Sequence, residues 1–265
     1  ADKCNFEFEF GVTKVGYGAF YRCYALECIE FPETIKKLEH AAFGYDSNIS
    51  KIFYKGTNFL NNISCDTYND YINKEGSKHY TLYENWVPKY VDKDGSSIIL
   101  NNRRMYNIFT PDCVIADGVW VIRSNIDLGG NSIEVTKNIT LVLLDNCGIA
   151  TSCGIKVHSG KTIIIASEQV ENYSTMGYIK VSSAPSLNAG IGSLKASECN
   201  IFIYGGNIES HGGLNAAGIG SGDSGETNST VIIYNGNIES HGGDYGAGIG
   251  SGYSSNATVT INGGT

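Results

Sequence analysis

The octapeptide GNIESHGG occurs twice in the sequence, beginning at Gly206 and again at Gly236. Each copy places a glutamate shortly before a histidine, Glu209 with His211 and Glu239 with His241. Carboxylate and imidazole groups carry out general acid–base catalysis and also bind divalent metal ions. The duplication therefore indicates either a repeated chemical site or a repeated structural unit.

The rest of the C-terminal sequence repeats with nearly the same period. AGIGS begins at Ala189, Ala217 and Ala247. Each unit holds three short strand-like pieces with Gly-rich corners between them, which is typical of one coil of a parallel β-helix. About five or six coils fit between Gly118 and Thr265. We predict a right-handed parallel β-helix with three short strands per coil over residues 118–265, with its last coil incomplete.

A second repeat precedes it. Apolar residues near the N-terminus recur at one fixed spacing, which is the same from Val15 to Leu38, from Phe20 to Phe43 and from Ile29 to Ile52. This period predicts leucine-rich repeats over residues 1–57, beginning in the middle of a repeat. Residues 58–117 are predicted to connect the two systems and to cap the first coil, with a hairpin that turns at Asp94 and Gly95. The predicted fold class is therefore mostly β.

Two resemblances go with these repeats. The pattern V-xx-[VL]-xxx-AF-xx-C-xx-L-xx-I-xx-P, followed by FYKGT, resembles the BspA-type (Treponema-type) leucine-rich repeat. That family implies a secreted or surface-attached protein, with a role in adhesion. Residues 118–265, with their AGIGS and TVTINGGT motifs and the lead-in DGVWVIRSNIDL, resemble β-helical "carbohydrate-binding domain-containing" proteins. This second resemblance implies a polysaccharide ligand.

Composition narrows the choice of partner. The net charge of −8 and the isoelectric point near 5.1 argue against nucleic acid, which requires a basic surface. The mean hydropathy of −0.13, without a long apolar run, argues against membrane insertion. Eight cysteines are compatible with disulfides in an exported protein, although their pairing cannot be read from sequence. These features favour an extracellular or cell-surface location.

Strand alternation places the repeated side chains. If Ile208 and Ser210 point into the coil, the glutamates and histidines point outward. Lys180, Glu209 and Glu239 then form one outward column. The plain interpretation is a solvated ladder of charges. The alternative is a metal site, with calcium as the cofactor, at Glu209, His211, Glu239 and His241. Catalysis is disfavoured because a ladder repeats one environment, whereas acid–base work requires two differently tuned groups.

The other two faces also offer candidates. Alternation in AGIGS predicts an outer strip without side chains, formed by Gly190, Gly192, Gly218, Gly220, Gly248 and Gly250. Such a strip is either a tight bend or a flat surface for a polymer. On the third face Phe202, Tyr204 and Tyr234 are predicted to point outward. They could stack on sugar rings or be covered by another part of the chain.

The leading hypothesis is an extracellular, non-enzymatic binding or adhesion module for a polysaccharide or a host or cell-surface ligand, with no required cofactor. The first alternative is a polysaccharide lyase or hydrolase that uses Lys180 near Glu209 and Glu239. The second is a structural spacer at the cell surface. An open final coil would in addition favour end-to-end association.

Overall fold

The computed structural model describes residues 4–44, 48–56, 59–66, 81–84, 89–100, 106–109, 111, 115–223, 225 and 227–265. The chain forms two compact units, Ala1–Val87 and Pro88–Thr265. Within the described ranges regular structure is almost entirely parallel strand, and a single short helix, α1, spans Phe59–Asn62. The predicted fold class is confirmed. No helix in these ranges reaches the length and apolar character that a membrane span requires.

The described part of the N-terminal unit contains two parallel sheets of short strands. The first sheet is formed by β1 (Cys4–Glu7), β3 (Leu26–Phe31), β5 (Lys51–Tyr54) and β7 (Thr81–Glu84). The second is formed by β2 (Lys14–Val15), β4 (Lys37–Leu38) and β6 (Ser64–Cys65). Ile29 pairs with Ile52, and Val15 pairs with Leu38, as the fixed spacing of the first repeat predicts.

Aromatic stacking follows the same period. Phe8 stacks on Phe31 with ring centroids 5.3 Å apart, and Phe20 stacks on Phe43 at 4.9 Å. The sequence placed the end of the repeats at residue 57. The first sheet continues beyond that residue, because β7 pairs in parallel with β5. The partner of Ile52 on β7 is Leu82, which lies farther along the chain than one period, so a search for the fixed spacing does not find it.

The C-terminal unit is a parallel β-helix, whose described residues form five complete coils and two further strands, one at each end of sheet 1. Sheet 1 consists of β10 (Tyr106–Ile108), β11 (Gly118–Ile122), β14 (Ile139–Leu143), β17 (Lys161–Ser167), β20 (Cys199–Ile203), β23 (Asn228–Ile233) and β26 (Asn256–Ile261). Sheet 2 consists of β12 (Asn125–Asp127), β15 (Gly148–Thr151), β18 (Tyr178–Val181), β21 (Asn207–His211) and β24 (Asn237–His241). Sheet 3 consists of β13 (Ile133–Val135), β16 (Ile155–Val157), β19 (Ile191–Ser193), β22 (Ile219–Gly220) and β25 (Ile249–Gly250).

Columns of isoleucine hold the coils together. In sheet 2 an unbroken inward column runs through Ile126, Ile149, Ile179, Ile208 and Ile238. The first four of these side chains are buried. Burial of one such side chain contributes about 1.5–3 kcal/mol to folding. Because every coil presents the same inward residue at the same place, the register of the stack is fixed and the outward side chains are aligned as well.

A hairpin lies against the outer face of sheet 1. Its strands β8 (Lys89–Val91) and β9 (Ser97–Ile99) are antiparallel, and β8 contacts β14 and β17. Gly95 turns the chain with φ +81°, as predicted. The Asp92 carboxylate accepts the N–H groups of Asp94 and Ser96, each at 3.0 Å, so it stabilises the turn.

The first and last rungs of sheet 1 differ. Strand β10 pairs with β11 and covers the edge of the first coil in this sheet. The predicted capping role of residues 58–117, part of which lies outside the described residues, stays a prediction. At the other end β26 exposes 38% of Val259 and 62% of Ile261. The predicted end-to-end association through this edge stays a prediction.

Candidate functional site

The outer face of sheet 2 carries an open groove. Three consecutive strands, β18, β21 and β24, form it, and its cavity volume is about 300 Å³. The groove is lined by the side chains and backbone of Tyr178, Ile179, Lys180, Asn207, Ile208, Glu209, Asn237 and Glu239. Because the isoleucine side chains point into the coil, the strand backbone forms the floor, and the outward residues of each strand form the two walls.

Strand register builds the walls. Tyr178, Asn207 and Asn237 are aligned in one column. Lys180, Glu209 and Glu239 are aligned in the other, as the sequence predicted. Each coil therefore adds one amide or phenol and one charged group, and successive coils are about 4.8 Å apart. The result is a polar groove that runs along the stack.

Tyr178 occupies one end of the groove because the residue below it is glycine. Gly148 pairs with Tyr178, and a Cβ at Gly148 would lie 2.5 Å from the tyrosine Cγ. The ring therefore lies down over the rung below, half-buried against the sheet. Burial raises the pKa of the Tyr178 phenol, as do the neighbouring Cys147 and Asp127. The phenol stays neutral and can donate or accept a hydrogen bond.

Asn207 is held in place from the side. Its Nδ2 donates to the carbonyl oxygens of Tyr173, at 2.6 Å, and Met176, at 3.2 Å. Both acceptors belong to the loop between β17 and β18, which Gln169 organises by accepting the N–H groups of Glu171 and Asn172. Both N–H groups of the Asn207 amide are thus used within the protein and its Oδ1 is buried, so Asn207 shapes the wall of the groove without offering a hydrogen bond to a ligand.

The charged column is partly neutralised from within. Lys180 Nζ lies 2.7 Å from Glu209 Oε2. This hydrogen bond from Lys180 lowers the pKa of Glu209, and His211 Nε2, 3.5 Å from Oε1, lowers it further. Glu209 therefore stays ionised at neutral pH and is unsuited to act as a general acid. Lys180 acts as a donor in this ion pair, whereas a base that abstracts a proton must offer a free lone pair.

The two histidines stack on each other. Their ring centroids are 4.6 Å apart, and His241 Nε2 lies 3.1 Å from Glu239 Oε1. Each imidazole thus faces the carboxylate of its own coil. The described residues contain no group of three or more His, Cys, Asp or Glu side chains that could hold a metal ion. The metal site at Glu209, His211, Glu239 and His241 stays a prediction without geometric support.

The six glycines do not form the exposed strip that the sequence predicted. Gly190, Gly192, Gly218, Gly220 and Gly250 are buried, and Gly248 is half-buried. AGIGS does not run as an extended strand, because Ala217 N donates to Ser221 O at 3.0 Å and closes the segment on itself. Gly220 takes φ +135° in this bend. The interpretation as a tight bend is confirmed, and the backbone of the next coil fills the space that a polymer would need.

The aromatic column on sheet 1 is placed as predicted but is flanked by the hairpin. Phe202 pairs with Ile232 on the outer face. Tyr204 and Tyr234 meet edge to face, with centroids 5.3 Å apart at 84°. Burial raises the pKa of Tyr204, and Tyr234 and the hairpin residue Tyr90 add to that effect. These rings do not form a flat platform, and their role in ligand binding stays a prediction.

Sequence reasoning missed an exposed aromatic pair on the last complete coil of the described chain. Tyr245 and Tyr253 are 66% and 56% exposed, and their ring centroids are 5.7 Å apart. Tyr245 follows shortly after His241 on the same coil. Aligning the repeats would have revealed the pair, because two tyrosines replace polar residues of the previous coil. The matching positions there are Asn215 and Asp223, whose side chains form a hydrogen bond of 3.1 Å.

Comparison with known families finds one similarity, and it lies in the N-terminal unit. Residues 3–75 match the model described as "BspA type Leucine rich repeat region (6 copies)". This segment is similar to BspA-type leucine-rich repeats. The match ends before the β-helix, so it does not bear on the groove. No curated protein and no solved structure matches the chain.

Proposed function

We propose that this protein is a non-enzymatic, extracellular binding module that holds a polysaccharide in the groove of sheet 2. The observation that carries the proposal is the groove itself, a cavity of about 300 Å³ with polar walls contributed by three consecutive coils. A linear polymer with repeating units fits a site whose walls repeat along one axis.

The lining chemistry supports a sugar ligand. Sugar hydroxyl groups both donate and accept hydrogen bonds, and the exposed amide of Asn237 offers both functions. The carboxylates of Glu209 and Glu239 add acceptors, and the ring of Tyr178 adds apolar surface at one end. Such a combination of a few fixed polar groups and one aromatic ring is typical of small-ligand sites.

The N-terminal repeats support the location. BspA-type leucine-rich repeats commonly serve as surface or adhesion scaffolds, and residues 3–75 match their family model. The ion pair of Lys180 with Glu209 speaks against the lyase alternative, because it engages the only basic side chain among the described residues of the groove. Binding without turnover therefore accounts for the site better than catalysis does.

The test is binding of the purified chain to a panel of soluble and insoluble polysaccharides, with calcium and then with chelator. We expect at least one glycan to bind in both conditions. Asn237→Ala should weaken it by about three- to tenfold, the value of one or two hydrogen bonds. Asn131→Ala is the matched control, because Asn131 is also exposed but lies in a corner of the first coil.

Other results overturn the proposal. Binding that disappears with chelator would assign the site to a metal at the Glu and His ladder. Binding that Tyr234→Ala abolishes and Asn237→Ala leaves unchanged would move it to sheet 1. Release of sugar would identify an enzyme. No binding to any glycan would favour the structural spacer.

A further inference from the structure

We propose that the groove selects polysaccharides that carry primary amino groups over those that carry carboxylates, with Glu239 as the recognising group. This inference rests on the proposed function and names its ligand class. It follows from how charge is distributed along the outward column of sheet 2.

The outward column of Lys180, Glu209 and Glu239 already contains one contact between an amine and a carboxylate. On the two lower coils of the groove the ammonium group of Lys180 reaches up to Glu209 and lies 2.7 Å from its Oε2. The strand register places these two residues side by side on β18 and β21. The outer face of sheet 2 is therefore shaped so that a carboxylate meets an amine from the neighbouring rung.

Glu239 repeats the carboxylate one coil later without the amine. It is in register with Glu209, which is itself negative and already paired with Lys180. The Glu239 side chain is 74% exposed, and its ion-pair partner among the described residues is His241, 3.1 Å from Oε1. No lysine or arginine ion pair reaches it within the described part of the chain. A ligand amine at this position would complete the pattern of the rung below.

The sum of charges points the same way. One lysine and two glutamates belong to the described lining of the groove, and the lysine is neutralised by the nearer glutamate. The remaining charge is negative, on a chain whose net charge is −8. Charges within a Debye length of about 8 Å interact at physiological salt, so a uronic acid polymer would be repelled. An amino sugar polymer would be attracted, and its hydroxyl groups would still find the exposed amide of Asn237.

The experiment compares three oligosaccharides of equal length at one fixed pH at which the amine is protonated: a glucosamine oligomer, its N-acetylated form and a uronic acid oligomer. Affinity is measured by calorimetry with the full chain. We expect the glucosamine oligomer to bind most tightly and the uronic acid oligomer least tightly. Glu239→Gln keeps the shape of the side chain and should weaken only the glucosamine oligomer, by about fivefold.

Glu198→Gln is the matched control, because it removes the same charge from an exposed position outside the groove. It should leave all three affinities unchanged. An equal loss in both variants would show that only the overall charge attracts the amine, and would overturn the inference. Equal binding of the amino and acetylated forms would also overturn it while leaving the proposed function intact. Failure of all three oligomers, together with the broader panel, would remove the proposed function itself.

Discussion

The buried hydroxyl group of Ser210 donates a hydrogen bond of 2.8 Å to the carbonyl oxygen of Gly218, further along the same coil. Ser240 makes the same bond to Gly248 at 2.6 Å one coil on. The bond joins the end of NIESH in sheet 2 to the beginning of AGIGS before sheet 3. It explains why the two motifs repeat together, since each supplies one partner of an interior contact.

Gly218→Ala should destabilise the β-helix by about 1–3 kcal/mol, the usual cost of overpacking. The added Cβ would clash with Ser240 Oγ and lie 2.7 Å from the carbonyl oxygen of His241. Urea unfolding followed by circular dichroism measures the change. Gly130→Ala is the control, because a Cβ there meets no atom within 4 Å. Equal midpoints for the two variants would contradict the packing account.

Ser210→Ala should cost about 1–2 kcal/mol of unfolding free energy, because the Gly218 carbonyl loses its side-chain donor inside the coil. Ser240→Ala should cost less, since Ser240 is half-buried whereas Ser210 is fully buried. The same urea experiment ranks the two variants. The reverse order would show that burial does not set the value of this bond.

Glu134 should stabilise the folded protein at neutral pH and lose this contribution in acid. Burial alone would raise the pKa of this carboxyl group, but hydrogen bonds from Ser132, Lys156 and His158 lower it to about 2. The folded-state pKa lies below the ordinary value of 4.5, so the stabilisation is present above pH 4.5 and is lost as the pH falls toward 2.

The measurement is the unfolding free energy of wild type and Glu134→Gln from pH 7 down to pH 3. The gap between them should shrink steadily in this window. Because the Glu134 side chain is 45% exposed, solvent screens it, and added salt should narrow the gap at pH 7. A gap that does not change with pH would assign the effect to shape instead of charge.

The contribution of Glu168 to folding stability should depend on pH in the opposite direction to that of Glu134. Burial raises the pKa of Glu168 above the ordinary value; the hydrogen bond from the Asp145 N–H offsets part of this effect, and the charge of the Asp145 carboxylate adds to it. Its contribution is most favourable below the ordinary value of 4.5 and is lost as the pH rises through the folded-state pKa. Glu168→Gln should therefore be at least as stable as wild type at pH 7 and lose this advantage at pH 4. Thermal unfolding at the two pH values measures it, and a variant that is less stable only at pH 7 would contradict the sign.

The repeats made much of the architecture predictable. Identical motifs at a fixed spacing must stack in register, so the pairing of Glu209 with Glu239 and the inward direction of Ser210 followed from the sequence. The glycine strip was wrong because alternation assumes an extended strand. Gly220 has a positive φ, and AGIGS bends back on itself. Local backbone geometry of this kind is not visible in a pattern of polar and apolar residues.

The groove was only half visible in the sequence. Its charged wall comes from repeated motifs, but Tyr178 belongs to an upstream coil that differs in sequence. Its orientation depends on the absence of a side chain at Gly148, one coil earlier. The sequence likewise offered no sign that the hairpin would approach Tyr204, because that contact joins segments that are far apart along the chain.

Because the coils are alike and stacked, the β-helix can change in length during evolution by whole coils. Each rung contacts only the rungs beside it, and the Ser–Gly bond lies within a single coil. Duplication of one repeat by unequal recombination would thus insert a complete coil without disturbing the others. The groove would lengthen by about 4.8 Å at each such event. The length of this surface would then change in whole coils, and each added coil would carry the same outward side chains as the coil it was copied from.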